Sequence, residues 1–348
     1  MGKVLMRGNE ALGEAAILAG CRYYFGYPIT PQNEIPAYMA WRMPQVGGVF
    51  LQAESEIAAI NMVLGAAAAG ARAMTSSSSP GISLKQEGIS YMVALELPGV
   101  IVNIVRGGPG LGNIQPAQSD YFQATRGGGH GDYRVIVLAP STVQEMADFT
   151  MEAFELADFY RNPAIILADG LLGQMMEPLE FRSPQKRDLP PKNWSLTGAK
   201  GRLPNCLKSL LMTPGTLEAH NWKLFQKYQK MQEQESRWET FEVENADLIM
   251  VAYGTTARIC KGALRIAKSK GLRVGLIRPI TLWPFPEKVI NQIAERVKKF
   301  LVVEMSLGQM VEDVRLAVNG KAIVHFYGRP GGGIPSPEEI YQRIESLI

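Results

Sequence analysis

Along the chain, apolar runs of strand length alternate with longer stretches at helical spacing. Ala11 to Ala19 is predicted to be a helix that Gly20 ends, and Arg22 to Phe25 a strand. Val49 to Leu51 is strand-like, and Ile57 to Ala71 follows with no charged side chain. Within that stretch Ile57, Ile60, Val63 and Leu64 recur at helical spacing, while alanines and glycines fill the other faces. This predicts a closely packed helix buried all round, too short to span a membrane. Arg72 to Thr75 is a further strand candidate, and a helix runs from the following serines to about Leu95. Gly99 to Val105 is a continuous apolar run of the kind that parallel sheets bury on both faces. Arg134 to Leu138 and Ala164 to Ala168 are two more strands, flanking a helix from Val143 to Phe159. The alternation predicts an α/β fold with a doubly wound parallel sheet.

From Arg182 to Glu244 the pattern changes. A run rich in Pro, Gly and polar residues reads as linker, and Leu217 to Trp238 reads as a polar, charged helix bearing Trp222, Phe225 and Tyr228. A second, smaller α/β region follows. Its strands are expected at Leu248–Ala252, Val274–Ile277, Leu301–Val303 and Ile323–Phe326, and its helices at Cys260–Lys268 and Pro337–Ile348. The expected domains are residues 1–185, a linker with the polar helix at 186–244, and residues 245–348. The second domain carries no recognisable catalytic constellation, and Gly331–Gly333 reads as a turn or contact surface.

Composition narrows the function classes. The 348 residues are 46% hydrophobic and 20% charged, as in ordinary globular proteins, and the net charge of +3 gives no argument for nucleic acid. Cys21, Cys206 and Cys260 lie far apart, so the chain encodes neither a zinc nor an iron–sulfur site. The N-terminus lacks the apolar region of a signal peptide, and a cytoplasmic location is expected.

Candidate chemistry gathers at strand ends in the first half. Glu54 and Glu56 precede the Ala/Gly helix, where the helix terminus favours an ionised carboxylate and burial a protonated one. They serve either to complement the helix dipole or to exchange a proton with a buried ligand nitrogen. Thr30, before Pro31, is either a helix N-cap or a hydroxyl at the ligand-binding end of a sheet. Ser76 to Ser79 precede a Pro-Gly helix start; Ser78 and Ser79 are candidates for cofactor binding, against a plain capped loop. Arg106 ends the buried strand and opens a glycine-rich loop. It can grip a carboxylate, or be bound by local carbonyls or Asp120. That loop is no dinucleotide fingerprint, because Asn113 stands where a glycine is required. Gly127 to Asp132, with His130, reads as a lid or an interface loop.

Together, Tyr27-Pro28-Ile29-Thr30-Pro31, then Ser55-Glu56 opening an Ala/Gly helix, then Arg106 after a buried strand, resemble the α subunit of 2-oxoacid:ferredoxin oxidoreductases. Arg278 to Pro286 (RPITLWPFP) resembles that family's transketolase C-terminal-like domain. Ser83–Gly88, Arg106–Asn113 and Gly127–Tyr133 are most similar to its branched-chain (2-oxoisovalerate) members.

The resemblance implies a pyrimidine-type thiamine diphosphate domain. In such domains a glutamate hydrogen-bonds the aminopyrimidine ring and, through its imino tautomer, activates the thiazolium carbon. Glu56 matches that glutamate, Thr30 the threonine at the substrate, and Arg106 the arginine that binds its carboxylate. The Gly-Asp-Gly…Asn motif that holds Mg²⁺ and diphosphate is missing: Tyr133 follows Gly131-Asp132, and Ala168 precedes Asp169-Gly170. The diphosphate, Mg²⁺ and iron–sulfur clusters are therefore expected on partner chains, with separate β, γ and ferredoxin-like δ subunits. The implied activity is CoA-dependent oxidative decarboxylation of a branched-chain 2-oxoacid with ferredoxin as acceptor. The alternatives are 2-oxoglutarate as substrate, or a non-catalytic scaffold subunit.

Overall fold

The structure, a computed structural model, describes residues 2–183 and 187–348. The expected boundary at 185/186 therefore involves residues outside the described ones. In chain order the strands are β1 Val4–Arg7, β2 Tyr23–Gly26, β3 Val49–Gln52, β4 Ala73–Ser77, β5 Gly99–Val105, β6 Ile136–Leu138 and β7 Pro163–Asp169. They continue with β8 Met176–Leu179, β9 Trp238–Phe241, β10 Leu248–Val251, β11 Val274–Pro279, β12 Thr281–Trp283, β13 Lys299–Glu304 and β14 Ile323–Gly328.

β2 to β7 form one parallel sheet in the order β6-β7-β5-β4-β2-β3, and β12 adds an antiparallel edge beside β6. β5 and β7 are buried along their whole length, as their unbroken apolar runs require. A second sheet, β14-β13-β10-β11-β9, is parallel except for β9. β1 and β8 pair as a small antiparallel ribbon. The doubly wound α/β architecture is thus the observed one, with two corrections of detail.

The first concerns the polar helix, which is Thr216–Glu235. Trp238 lies beyond it and opens β9, which pairs with β11 and so belongs to the second sheet. The second concerns the Ala/Gly helix, which runs Glu56–Ala68 and is not buried all round. Glu56, Ala59, Ile60, Val63 and Ala67 face inward, but Ile57 is 49% exposed and Asn61 and Gly65 share its open face. Residues four apart fall on one stripe of a helix, and no element among the described residues covers that stripe.

The two sheets are fastened by buried polar contacts. Gln118 donates to the Tyr253 carbonyl at 2.9 Å and accepts from Thr256 Oγ1 and the Met305 amide, each at 3.0 Å. Arg278, 1% exposed, binds both carboxylate oxygens of Glu145 at 2.6 and 2.8 Å and reaches Glu239 at 2.9 Å.

Candidate active site

The candidate residues collect at the carboxyl ends of β2, β3, β4 and β5, where open parallel sheets bind ligands. Ser55 caps helix Glu56–Ala68 by accepting from the Ala58 amide at 3.2 Å. That cap sets Glu56 as the first helical residue, with 7% of its surface exposed, whereas Glu54 is exposed. Among the described residues nothing donates a hydrogen bond to the Glu56 carboxylate. Instead it faces Gly81, where a Cβ would stand 2.6 Å from Oε1 and 2.0 Å from Ser77 Oγ.

The serine run divides by role. Ser76 is used inside the protein, sharing hydrogen bonds with Tyr24 at 2.6 Å and Gln32 at 2.5 Å. Ser79 lies against Arg106: its Oγ accepts from the Arg106 amide at 3.1 Å and donates to the Arg106 carbonyl at 3.2 Å. Its amide donates to Asn103 Oδ1, and Asn103 in turn donates to Asp120, whose carboxyl is pushed up by burial. By contrast, the hydroxyls of Thr75, Ser77 and Ser78 are buried and have no partner among the described residues. Buried polar groups are seldom left this way unless a ligand or water completes them.

Arg106 is 7% exposed. Nη1 donates to the Thr30 carbonyl and Nη2 to the Leu111 carbonyl, both at 3.0 Å, and Nε has no partner among the described residues. Local carbonyls therefore hold it, and Asp120 does not. Thr30 is exposed and its hydroxyl accepts from Asn33 at 3.3 Å. The helix beyond starts at Glu34, so Thr30 is not its N-cap. The first turn of helix Ser79–Ala94 joins the two clusters, through Ser79 to Arg106 and through Gly81 to Glu56.

Three loops complete the picture. The second domain reaches the Arg106 loop through Gly331, whose carbonyl accepts from Asn113 at 2.9 Å. In the Gly127–Asp132 loop, the His130 carbonyl accepts from Ser90 at 2.7 Å and its ring meets Tyr91 edge-on. Leu111 and Ile114 of the Arg106 loop are 82% and 58% exposed. One buried side chain was missed from the sequence. Lys85, fully buried, donates to the Glu56 carbonyl at 3.4 Å. The signals for it were its place between Gly81 and Gly88 and within the Ser83–Gly88 run.

In this α/β protein a glutamate that accepts no hydrogen bond among the described residues, open hydroxyls and a cation held by carbonyls leave polar groups that a ligand or water can complete. Residues 14–245 match the family model described as pyruvate flavodoxin/ferredoxin oxidoreductase, thiamine diphosphate-binding. Residues 246–340 match pyruvate:ferredoxin oxidoreductase core domain II. The ketoisovalerate oxidoreductase subunit VorB of Methanothermobacter marburgensis is 50% identical over 347 residues, covering 100% of this chain and 98% of its own. The 2-oxoglutarate synthase subunit KorA of Archaeoglobus fulgidus is 38% identical, covering 99% of each. Among solved structures, the 2-oxoglutarate:ferredoxin oxidoreductase from Magnetococcus marinus, with 2-oxoglutarate, coenzyme A and succinyl-CoA bound, superposes with a TM-score of 0.88 at 28% identity. That match covers 99% of this chain and 65% of the other.

The chain belongs to the pyruvate flavodoxin/ferredoxin oxidoreductase family. Its first domain is the thiamine diphosphate-binding type, and it is one subunit of an oxidoreductase built from several. Among the described residues no helix is long and apolar enough to cross a membrane.

Proposed function

We propose that this chain is the α subunit of a 2-oxoacid:ferredoxin oxidoreductase that converts 2-oxoisovalerate, with CoA, to the acyl-CoA and CO₂. The observation that carries this reading is the pairing of a partnerless buried carboxylate on Glu56 with a buried cation, Arg106, that has only neutral carbonyls for company. The donor set fits the pyrimidine half of thiamine diphosphate: one carboxylate for a ring nitrogen, open serine hydroxyls, and a side-chain-free approach at Gly81, where any Cβ would crowd Glu56 and Ser77. When bound, that cofactor supplies the nucleophilic carbon and the electron sink for decarboxylation.

Glu56 holds the ring nitrogen and exchanges its proton. Arg106 leaves its carbonyl acceptors for the substrate carboxylate, an exchange favoured because charge-assisted bonds are worth about 1.5–3 kcal/mol each. Thr30, whose carbonyl Arg106 already touches, offers its hydroxyl beside that carboxylate. Ser78 is open to the cofactor, while Ser79 holds Arg106 in place and reaches the cofactor only by exchanging those bonds. A β subunit with the diphosphate, Mg²⁺ and an iron–sulfur cluster covers the stripe of Ile57, Asn61 and Gly65; γ and δ subunits carry electrons onward to ferredoxin.

Two observations favour a branched-chain substrate over 2-oxoglutarate. Residues 107–118 contain no cation for a second carboxylate, and the loop instead carries apolar Leu111 and Ile114. The relatives named for ketoisovalerate are also nearer in sequence, at 49–50% identity, than those named for 2-oxoglutarate at 30–38%. The test is CoA-dependent dye reduction by the purified complex with 2-oxoisovalerate, 2-oxoglutarate and pyruvate in parallel. The highest kcat/KM with 2-oxoisovalerate is expected. A preference for 2-oxoglutarate overturns the substrate reading and leaves the Glu56 assignment standing.

A further inference from the structure

Behind Glu56 lies a buried charge that the outline above does not use. Helix Ser79–Ala94 crosses helix Glu56–Ala68 at close range because Gly81 and Gly88 line the crossing. A Cβ at Gly81 would stand 2.6 Å from Glu56 Oε1, and one at Gly88 2.6 Å from Ile60 Cγ2. Lys85 is four residues from the first and three from the second, on the same helix face. Its side chain enters the crossing with no exposed surface, and Nζ donates to the Glu56 carbonyl at 3.4 Å. Packing alone does not call for an ammonium here. A methionine fills similar volume without the cost of desolvating a charge.

We propose that Lys85 is a positioning residue for Glu56. Its ammonium pins the first turn of helix Glu56–Ala68 and sets a positive charge behind the carboxylate that meets the aminopyrimidine ring. This rests on the assignment of Glu56 made above. Burial pushes Lys85 down to about 8 from 10.5, and Glu56 is the one charged group among the described residues that acts to raise it. Ionised Lys85 therefore costs the fold stability in full below pH 8, and the cost fades as pH rises toward 10.5. A group with that profile is kept for something other than stability.

The experiment compares the assembled complex with Lys85→Met, Lys85→Gln and Glu56→Gln variants. Lys85→Met is expected to lower kcat by roughly tenfold or more, the loss expected for one hydrogen bond to a charged group. Thiamine diphosphate, titrated into the cofactor-stripped complex by tryptophan fluorescence, should bind several-fold more weakly. The Tm of that stripped complex should hold or rise at pH 7, with the gain shrinking at alkaline pH. An alkaline limb near pH 8 in wild-type kcat should vanish. Lys85→Gln, which keeps a donor but no charge, should fall with Lys85→Met. Wild-type turnover and affinity in either variant overturn the proposal, as does a lower Tm with an unchanged alkaline limb, which marks a merely structural lysine. If Glu56→Gln keeps its activity, the Glu56 assignment itself has failed. If Glu56→Gln collapses while Lys85→Met behaves as wild type, only the role of Lys85 is lost.

Discussion

Glu304 and Glu56 stand in comparable places in the two halves of the molecule. Each is a buried glutamate at or just beyond the end of a parallel strand and beside the start of a helix. Glu304 ends β13 and accepts from the amides of Gln309, Met310 and Val311 and from the Ser306 hydroxyl, at 2.9–3.2 Å. The Glu56 carboxylate accepts nothing among the described residues. The buried arginines repeat the contrast: Arg278 is flanked by two carboxylates, Arg106 by two carbonyls. Burial is alike in the two pairs, so burial does not separate architecture from site. What separates them is whether the chain itself completes the charge. The second domain spends its buried charges on its own helix starts and on the interface. The first leaves two, Glu56 and Arg106, unfinished beyond the ends of β3 and β5.

That contrast is sharpest, and easiest to break, at Glu56. Glu56→Gln keeps shape and removes the acid–base function proposed for this residue, so kcat of the assembled complex should fall by roughly 10²–10⁴-fold. Assembly, followed by size-exclusion chromatography, should be intact. Near-wild-type turnover would make this chain a scaffold. Next in size is Arg106→Met, expected to lower kcat/KM for the 2-oxoacid by roughly tenfold to 10³-fold, mainly through KM, as lost charge-assisted bonds would. Here Tm should move little, since the guanidinium holds only two carbonyls of its own chain. A large stability loss with an unchanged KM would put Arg106 in the same class as Arg278.

The sequence made some of this division legible. Gly99–Val105 forms as its apolar run predicts and delivers Arg106 to the sheet's carboxyl end. The Ser55-Glu56 start of the Ala/Gly helix is equally readable, because a serine cap followed by an acidic first turn is a local signal. What was not legible depends on distant partners. β9 and β12 are short strands that exist because β11 and β6 offer them edges, and periodicity over three or four residues cannot announce that. The open stripe of Ile57, Asn61 and Gly65 looks in sequence like any buried face of small residues, since composition does not say which chain does the burying. Lys85 reads as one charge on a mixed helix. Only the glycines at 81 and 88, which let two helices close around it, turn it inward.

On the architectural side the expected effects are smaller and of another kind. Arg278→Met should cost about 3 kcal/mol, toward the low end for breaking a buried pair because Glu145 and Glu239 keep partial access to water. Measured by denaturant unfolding, the loss should come without a change in KM for the 2-oxoacid. A raised KM would mean that the second domain sets the geometry of the Arg106 loop, which Asn113 and Gly331 already join.

Glu304→Gln should do least. The amide replaces one carboxylate oxygen with a second donor, pointed at the amides of Gln309, Met310 and Val311, so about 1–3 kcal/mol should be lost. For a chain of 348 residues that lowers Tm by roughly 1–2 °C per kcal/mol. The pH dependence has a definite sign. Burial outweighs the four donors and holds the Glu304 carboxyl above its ordinary value. Its contribution is therefore full at acid pH, below the unfolded value, and declines as pH rises through the folded one. The margin of wild type over Glu304→Gln should accordingly be widest in acid and narrow toward neutrality, with turnover per assembled complex unchanged throughout. If turnover falls in step with that titration, Glu304 is not an internal cap, and the second sheet contributes a working carboxylate as the first does.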